Sequence, residues 1–134
     1  MRVVADTNVL ISDLMFGGLP GEFLDLALLR SFVLVSSPVL LDELDDDKLR
    51  GKFRIDPEKA KLIRSRLEDL VDLVRPVKDL DVVKSDPDDD RVLECAVAGD
   101  ADYIVSGDRH LRGLVSYAEI EIVTVRQFMD MIEA

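Results

Sequence analysis

The sequence predicts a three-layer α/β/α sandwich built on a central parallel sheet of about five strands. Three observations carry that prediction. Short apolar runs alternate along the chain with segments whose apolar residues recur at helical spacing, the pattern of parallel strands joined by helical crossovers. The 134 residues are enough to bury one core, so a single domain over 1–134 is expected. With 48% hydrophobic residues, 5% aromatics and no tryptophan, that core is to be made mainly of Leu, Val, Ile and Ala.

The elements follow in order. Arg2 to Ala5 has no polar alternation and reads as a short strand buried on both faces. A loop is expected around Gly17, Gly18, Pro20 and Gly21, and then Glu22 to Arg30 carries Phe23, Leu24, Ala27 and Leu28 at helical spacing. Phe32 to Ser36 is a second strand. Ser37-Pro38 opens a helix, with Ser as N-cap and Pro at the first helical position. Asp56-Pro57-Glu58 repeats the signal, and that helix runs to about Asp69 with Ile63, Leu67 and Leu70 on one face. Val71 to Val77 reads as a third strand. The acidic segment Ser85 to Asp90 leads into a helix through Ala98. Tyr103 to Ser106 is a fourth strand, Arg109 to Leu114 a short helix, Ile120 to Val125 a fifth strand, and Arg126 to Ile132 a closing helix.

Composition removes several classes. Cys95 is the only cysteine, which excludes an intrachain disulfide and a cysteine zinc site; its apolar surroundings, Val92 to Val97, point to a buried, inert thiol. His110 is the only histidine, so a multi-histidine metal site is excluded too. No run approaches the roughly 18 apolar residues of a membrane span, and the N-terminus has no signal-peptide pattern, so a cytoplasmic protein is expected. The net charge of −11 repels nucleic acid at long range and favours basic partners or bound cations. It does not count against an enzyme that holds divalent metals in an acidic pocket, because a bound ion inverts the local field.

Among the 28 acidic residues a few sit where solvation does not explain them. Asp6 ends an apolar strand and is followed by more apolar residues, where a carboxylate must be paired or must cap a helix or turn. On a helical wheel Glu43 falls between Val39 and Leu40, inside the arc that also holds Leu41 and Leu44. Asp42, Asp45 and Asp46 fall outside it, and Asp47 is discounted as lying near the helix end. Asp86, Asp88 and Asp90 mimic the opening of a calcium-binding EF-hand loop, but Arg91 and Val97 stand where Gly and Glu are required. The alternative is an acidic first turn favoured by the helix dipole, and the wheel does not choose between Asp89 and Asp90. Asp108 follows Tyr103-Ile104-Val105-Ser106-Gly107 and either caps the next helix or faces Asp6 across the carboxyl edge of the sheet, where such folds bind ligands. Acids so placed, with no matching buried bases, repel one another unless they take up protons or a hard cation such as Mg²⁺ or Mn²⁺.

At these positions the sequence resembles PIN domains, specifically the small prokaryotic PIN proteins that include VapC-type toxins. The matching stretches are VVADTNVLIS, SSPVLLDEL, DRVLECAVAGDADYIVSGDRHL and IVTVRQFMDMI, which cover nearly the whole chain in family order. The resemblance carries an acidic quartet onto Asp6, Glu43, Asp90 and Asp108 as catalytic and metal-holding residues. It selects Asp90 over Asp89 because the family's acid directly precedes the apolar-alanine helix. Asn8 and Ser106 match supporting polar positions, and Ser106 stands where many members have Thr. Asp86 and Asp88 match no catalytic position. The resemblance further implies a Mg²⁺- or Mn²⁺-dependent nuclease acting on single-stranded RNA, often as a homodimer. For a toxin-type member it implies a basic antitoxin that blocks the site; other relatives process RNA without one.

In the expected chemistry the carboxylates hold one or two divalent ions that activate a water against the phosphodiester. Lys48, Arg50, Lys52, Arg54, Arg109 and Arg112 are candidates for flanking phosphates. A phosphatase of the haloacid dehalogenase type needs an acid where Asn8 stands. A receiver-like binding domain needs paired acids after the first strand, an acceptor Asp where Val77-Lys78-Asp79 stands and a Lys where Arg126 stands. A catalytically silent PIN fold used for protein binding is opposed by the presence of all four acids.

Overall fold

The apolar run Arg2–Ala5 forms the central strand, β1, of a mixed sheet that is mostly parallel. The computed structural model describes residues 1–16, 19–46, 51, 54–83 and 86–133. Gly17, Gly18, Asp47, Lys48, Arg50, Lys52 and Ser85 lie outside those residues.

In chain order, β1 is followed by α1 (Thr7–Phe16), α2 (Leu19–Leu28), β2 (Val33–Ser36) and α3 (Pro38–Asp42). A 3₁₀ turn (Glu43–Asp45) comes next, then α4 (Pro57–Leu70), β3 (Asp72–Leu73) and α5 (Pro87–Ala98). The chain ends with β4 (Tyr103–Val105), α6 (Arg109–Leu114), β5 (Ser116–Tyr117), β6 (Ile120–Val123) and α7 (Val125–Glu133). The strand order is β3-β2-β1-β4-β6-β5, parallel except for β5 against β6.

Alternate residues of each central strand enter opposite cores, which makes the three layers. Val3, Ala5, Leu34, Val105 and Val123 pack with α1, α2, α4 and α7 on one face. Val4, Val35, Ile104 and Ile122 pack with α5 and α6 on the other. Phe23, Phe32 and Phe128 meet with ring centroids 5.0–5.5 Å apart at the centre of the first core. Both Pro-led helices begin as their sequences require: Ser37 Oγ accepts from Leu40 N at 3.3 Å, and Asp56 Oδ1 accepts from Lys59 N at 2.8 Å.

Four expectations need correction. The third strand is not Val71 to Val77 but the two residues of β3. Beyond them Pro76 brings no N–H to a ladder, and the later amides are taken by side chains of α5 rather than by β2. A sixth strand, β5, joins β6 through Ala118 and Glu119, both with positive φ (49° and 68°) as a tight hairpin turn demands. The segment after Asp6 is helical at once, and Pro20 and Gly21 belong to the first turn of α2 rather than to a loop. Finally, the wheel over Val39–Leu44 is only partly right. Leu40, Leu41 and Leu44 are buried, but Val39 is 48% exposed, and the α-helix stops at Asp42, so a single α-helical wheel does not run on through Glu43 and Leu44.

Candidate metal centre

The strand order reverses direction at β1, with β2 on one side and β4 on the other, so a crevice opens at the carboxyl ends of β1 and β4. Ala5 and Val105 are register partners, and the residues just after them, Asp6 and Ser106, leave the sheet side by side. Asp6 N donates to Val105 O at 3.0 Å, and Ser106 Oγ donates to Asp6 Oδ2 at 2.9 Å. Asp6 Oδ1 accepts from Asn8 N at 3.0 Å and, more loosely, from Asn8 Nδ2 at 3.5 Å. Asp6 therefore caps α1 through Oδ1 and is tied to the end of β4 through Oδ2 while it lines the crevice.

The Ser106 hydroxyl also accepts from Asp108 N at 2.9 Å, which fixes the turn after β4. Asp108 in turn caps α6, accepting from His110 N at 2.8 Å and Leu111 N at 3.2 Å. On the facing side, Asp86 caps α5 through Asp88 N at 3.1 Å, and Pro87 occupies the first helical position. Oxygens of Asp86, Asp89 and Asp108 all lie within 4.8 Å of one another, close enough to share one cation.

The electrostatics of this group are those of crowded carboxyls. Burial, the adjoining Asp108 carboxyl, and the charges of Asp86 and Asp6 push Asp89 up to about 8. Burial acts on Asp108 in the same direction, but the Leu111 and His110 amides and the proton on Asp89 outweigh it and hold Asp108 below the ordinary range. One proton is thus shared between Asp89 and Asp108 at neutral pH. Glu43, at the start of the 3₁₀ turn, is pushed up to about 7 by burial and by the charges of Asp6, Asp88 and Asp46. The neighbouring Thr7 hydroxyl, which also reaches Leu40 O at 3.3 Å, acts against that rise.

Asp89 is 6% exposed, and its Oδ2 has no hydrogen-bond partner. A buried carboxylate oxygen left unmatched costs several kcal/mol if charged, roughly 1–3 kcal/mol even when neutral. Three carboxyls meeting within 4.8 Å, one of them with an unpartnered oxygen, offer the hard donors that fit a Mg²⁺- or Mn²⁺-like ion.

Asp90 is placed elsewhere. It is 2% exposed, and its Oδ1 accepts from Val82 N at 3.0 Å and Val83 N at 2.9 Å. Glu94 Oε2, one turn on, accepts from Leu80 N at 2.8 Å and pairs with Arg91 at 2.9 Å. These side chains fasten the extended segment before α5 to the helix. The structure therefore brings Asp6, Glu43, Asp108 and Asp89 to the crevice, with Asp86 and Asp88 at its rim, and does not bring Asp90 there. Asp90 and Glu94 are four residues apart, so they share a helix face. The spacing shows only that the two share a face; the amides of residues 80–83 that occupy this face come from the tertiary packing.

Beside the acids lies an open cleft of about 540 Å³, lined by Asp6, Asn8, Val9, Ser12, Gly107, Asp108 and Arg109. Arg109 thus lines the site, whereas Arg54 and Arg112 are exposed and do not line this cleft. Cys95 is buried and its thiol is pushed up to about 12 by burial, so it is chemically inert.

A family model for the PIN domain matches residues 2–110, from β1 into α6. The chain belongs to the PIN-domain family. It is also similar to an uncharacterized protein of Methanocaldococcus jannaschii, at 27% identity over 145 aligned positions that cover 99% of this chain and 92% of the relative. PIN domains are in general metal-dependent nucleases that act on nucleic acids, and many pair with antitoxins. The acidic group of this PIN domain is compatible with that chemistry. No helix among the described residues is long and apolar enough to cross a membrane.

Proposed function

We propose that this PIN domain, taken as one unit over 1–134, is an endoribonuclease that cuts single-stranded RNA with Mg²⁺ or Mn²⁺. The observation that carries the reading is the convergence of the Asp86, Asp89 and Asp108 carboxyls at the sheet's switch point, with the buried Asp89 retaining one oxygen without a hydrogen-bond partner. Asp6, Glu43, Asp89 and Asp108 are the proposed ion-holding and catalytic set, with Asp89 in the role that the sequence motif assigned to Asp90.

A bound divalent ion supplies a water of lowered pKa and offsets charge on the phosphate. The chain's own residues do the rest. Ser106 and Asn8 hold both oxygens of Asp6 in fixed directions, so its position does not depend on rotamer chance. Asp89 would hold the ion as a carboxylate, releasing the proton that its crowding with Asp108 favours in the ion-free protein. Glu43, whose carboxyl is pushed up by burial and by the charges of Asp6, Asp88 and Asp46, would hold the ion or accept a proton from an attacking water.

A toxin role fits the net charge of −11, which favours a basic antitoxin segment over the acidic crevice. The test is cleavage of a fluorogenic single-stranded RNA with Mn²⁺ or Mg²⁺, comparing wild type, EDTA-treated protein and Asp6→Asn. Cleavage confined to metal-loaded wild type supports the proposal. Equal cleavage by wild type and Asp6→Asn would sink it.

A further inference from the structure

The carboxyls explain where a phosphodiester is cut but not what grips the rest of the strand. The cleft beside them, at about 540 Å³, lies within the range of about 300–1,000 Å³ that takes small organic ligands and is on the scale of a single nucleotide. Its walls are of three kinds. Asn8 and Ser12 are four residues apart on α1, so they present an amide and a hydroxyl from one helix face, with Val9 between them in the lining. Arg109 lines the cleft next to Asp108, exposed, and forms no ion pair with any described residue despite the surrounding acids. Gly107 forms the remaining wall, and a Cβ placed on it would meet nothing within 4 Å.

Resting on the nuclease reading above, we propose that this cleft seats the unpaired nucleotide next to the scissile phosphate. Arg109 holds its outer phosphate, and Asn8 and Ser12 hydrogen-bond its base or sugar. The division of labour is physical. The acids repel phosphate wherever no cation covers them, so a strand entering this crevice needs a fixed positive group beside them. Arg109 supplies it with a planar, multidentate donor set suited to phosphate. Gly107 keeps the cleft wide enough for a nucleotide by contributing no side chain.

The test is steady-state cleavage of a short fluorogenic RNA of mixed sequence with Mn²⁺, for wild type, Arg109→Gln, Ser12→Ala, Gly107→Leu and Gly113→Leu. Gly113 is a matched control, since a Cβ there also meets open space and the residue lies on α6 outside the cleft. Arg109→Gln is expected to raise KM about tenfold with kcat within about twofold, and to flatten the log–log salt dependence of kcat/KM by about 0.7. Gly107→Leu should raise KM further, Ser12→Ala less, and Gly113→Leu not at all, while the Mn²⁺-induced thermal shift stays at the wild-type value in all four. Wild-type KM for both Arg109→Gln and Gly107→Leu, in a wild-type enzyme that cuts, overturns the cleft assignment and leaves the nuclease reading standing. Failure of wild type to cut overturns both. If Gly107→Leu does not fold, the KM and salt slope of Arg109→Gln decide.

Discussion

Ser106, wholly buried at the end of β4, donates its hydroxyl to Asp6 Oδ2 at 2.9 Å and accepts the Asp108 amide at 2.9 Å, so one small side chain joins two acids 102 positions apart in the chain. Removing that hydroxyl leaves a buried carboxylate oxygen and a backbone N–H short of partners. Ser106→Ala should therefore cost about 1–3 kcal/mol of stability and weaken Mn²⁺ binding about 10–100-fold without abolishing it. Chemical denaturation and calorimetric titration measure the two effects. Unchanged metal affinity would show that Asp6 needs no such support.

Asp89 and Asp90 should separate cleanly by mutation. Asp89→Asn removes an oxygen ligand and is expected to lower cleavage at least about 100-fold while the protein stays folded. Asp90→Asn keeps an acceptor for Val82 N and Val83 N and should cut RNA within about threefold of wild type. Asp90→Ala leaves both amides unmatched and should lose about 2–4 kcal/mol of stability. An inactive, stably folded Asp90→Asn protein would return Asp90 to the catalytic set.

The raised carboxyls predict an unusual pH profile in EDTA. A carboxyl whose folded pKa exceeds its unfolded one binds more protons when folded, so stability falls as pH rises between the two values and is flat above the folded value. Glu43 sets that window from about 4.5 to about 7, and Asp89 extends it to about 8. Melting temperature should fall across this range. Asp89→Asn should flatten the upper part and melt about 2–5 °C above wild type at pH 8.5. A wild-type profile that rises from pH 5 to 8 contradicts the assignment.

Divalent ions should reverse that trend, because they bind the deprotonated carboxyls and compete with the shared proton. Millimolar Mn²⁺ is expected to raise the melting temperature more at pH 8 than at pH 6, and the gain should vanish in Asp89→Asn but not in Asp90→Asn. Differential scanning fluorimetry across both pH values decides it; an equal gain in Asp89→Asn would place the ion elsewhere.

Much of this was legible residue by residue. Apolar runs bounded by turn residues located β1, β2, β4 and β6, and the pairs Ser37-Pro38 and Asp56-Pro57 marked helix starts that local hydrogen bonding alone enforces. Asp6 and Asp108 stood out because an acid directly after a buried parallel strand has few inexpensive environments. The β5–β6 hairpin was not legible, since Ala118 and Glu119 adopt positive φ without the Gly or Asn that usually announces it.

The order of residues along the chain thus dictates the layers, the caps and two of the acids, because each depends on neighbours within a strand or a turn. Which of two consecutive aspartates enters the crevice depends on neighbours far away. α5 is covered on one side by the sheet and on another by residues 80–83, so both Asp89 and Asp90 are buried and no hydropathy pattern tells them apart. The roughly 100° between adjacent helix positions turns one acid toward backbone amides and the other toward Asp108. Only the packed structure supplies those two different partners, and with them the different roles.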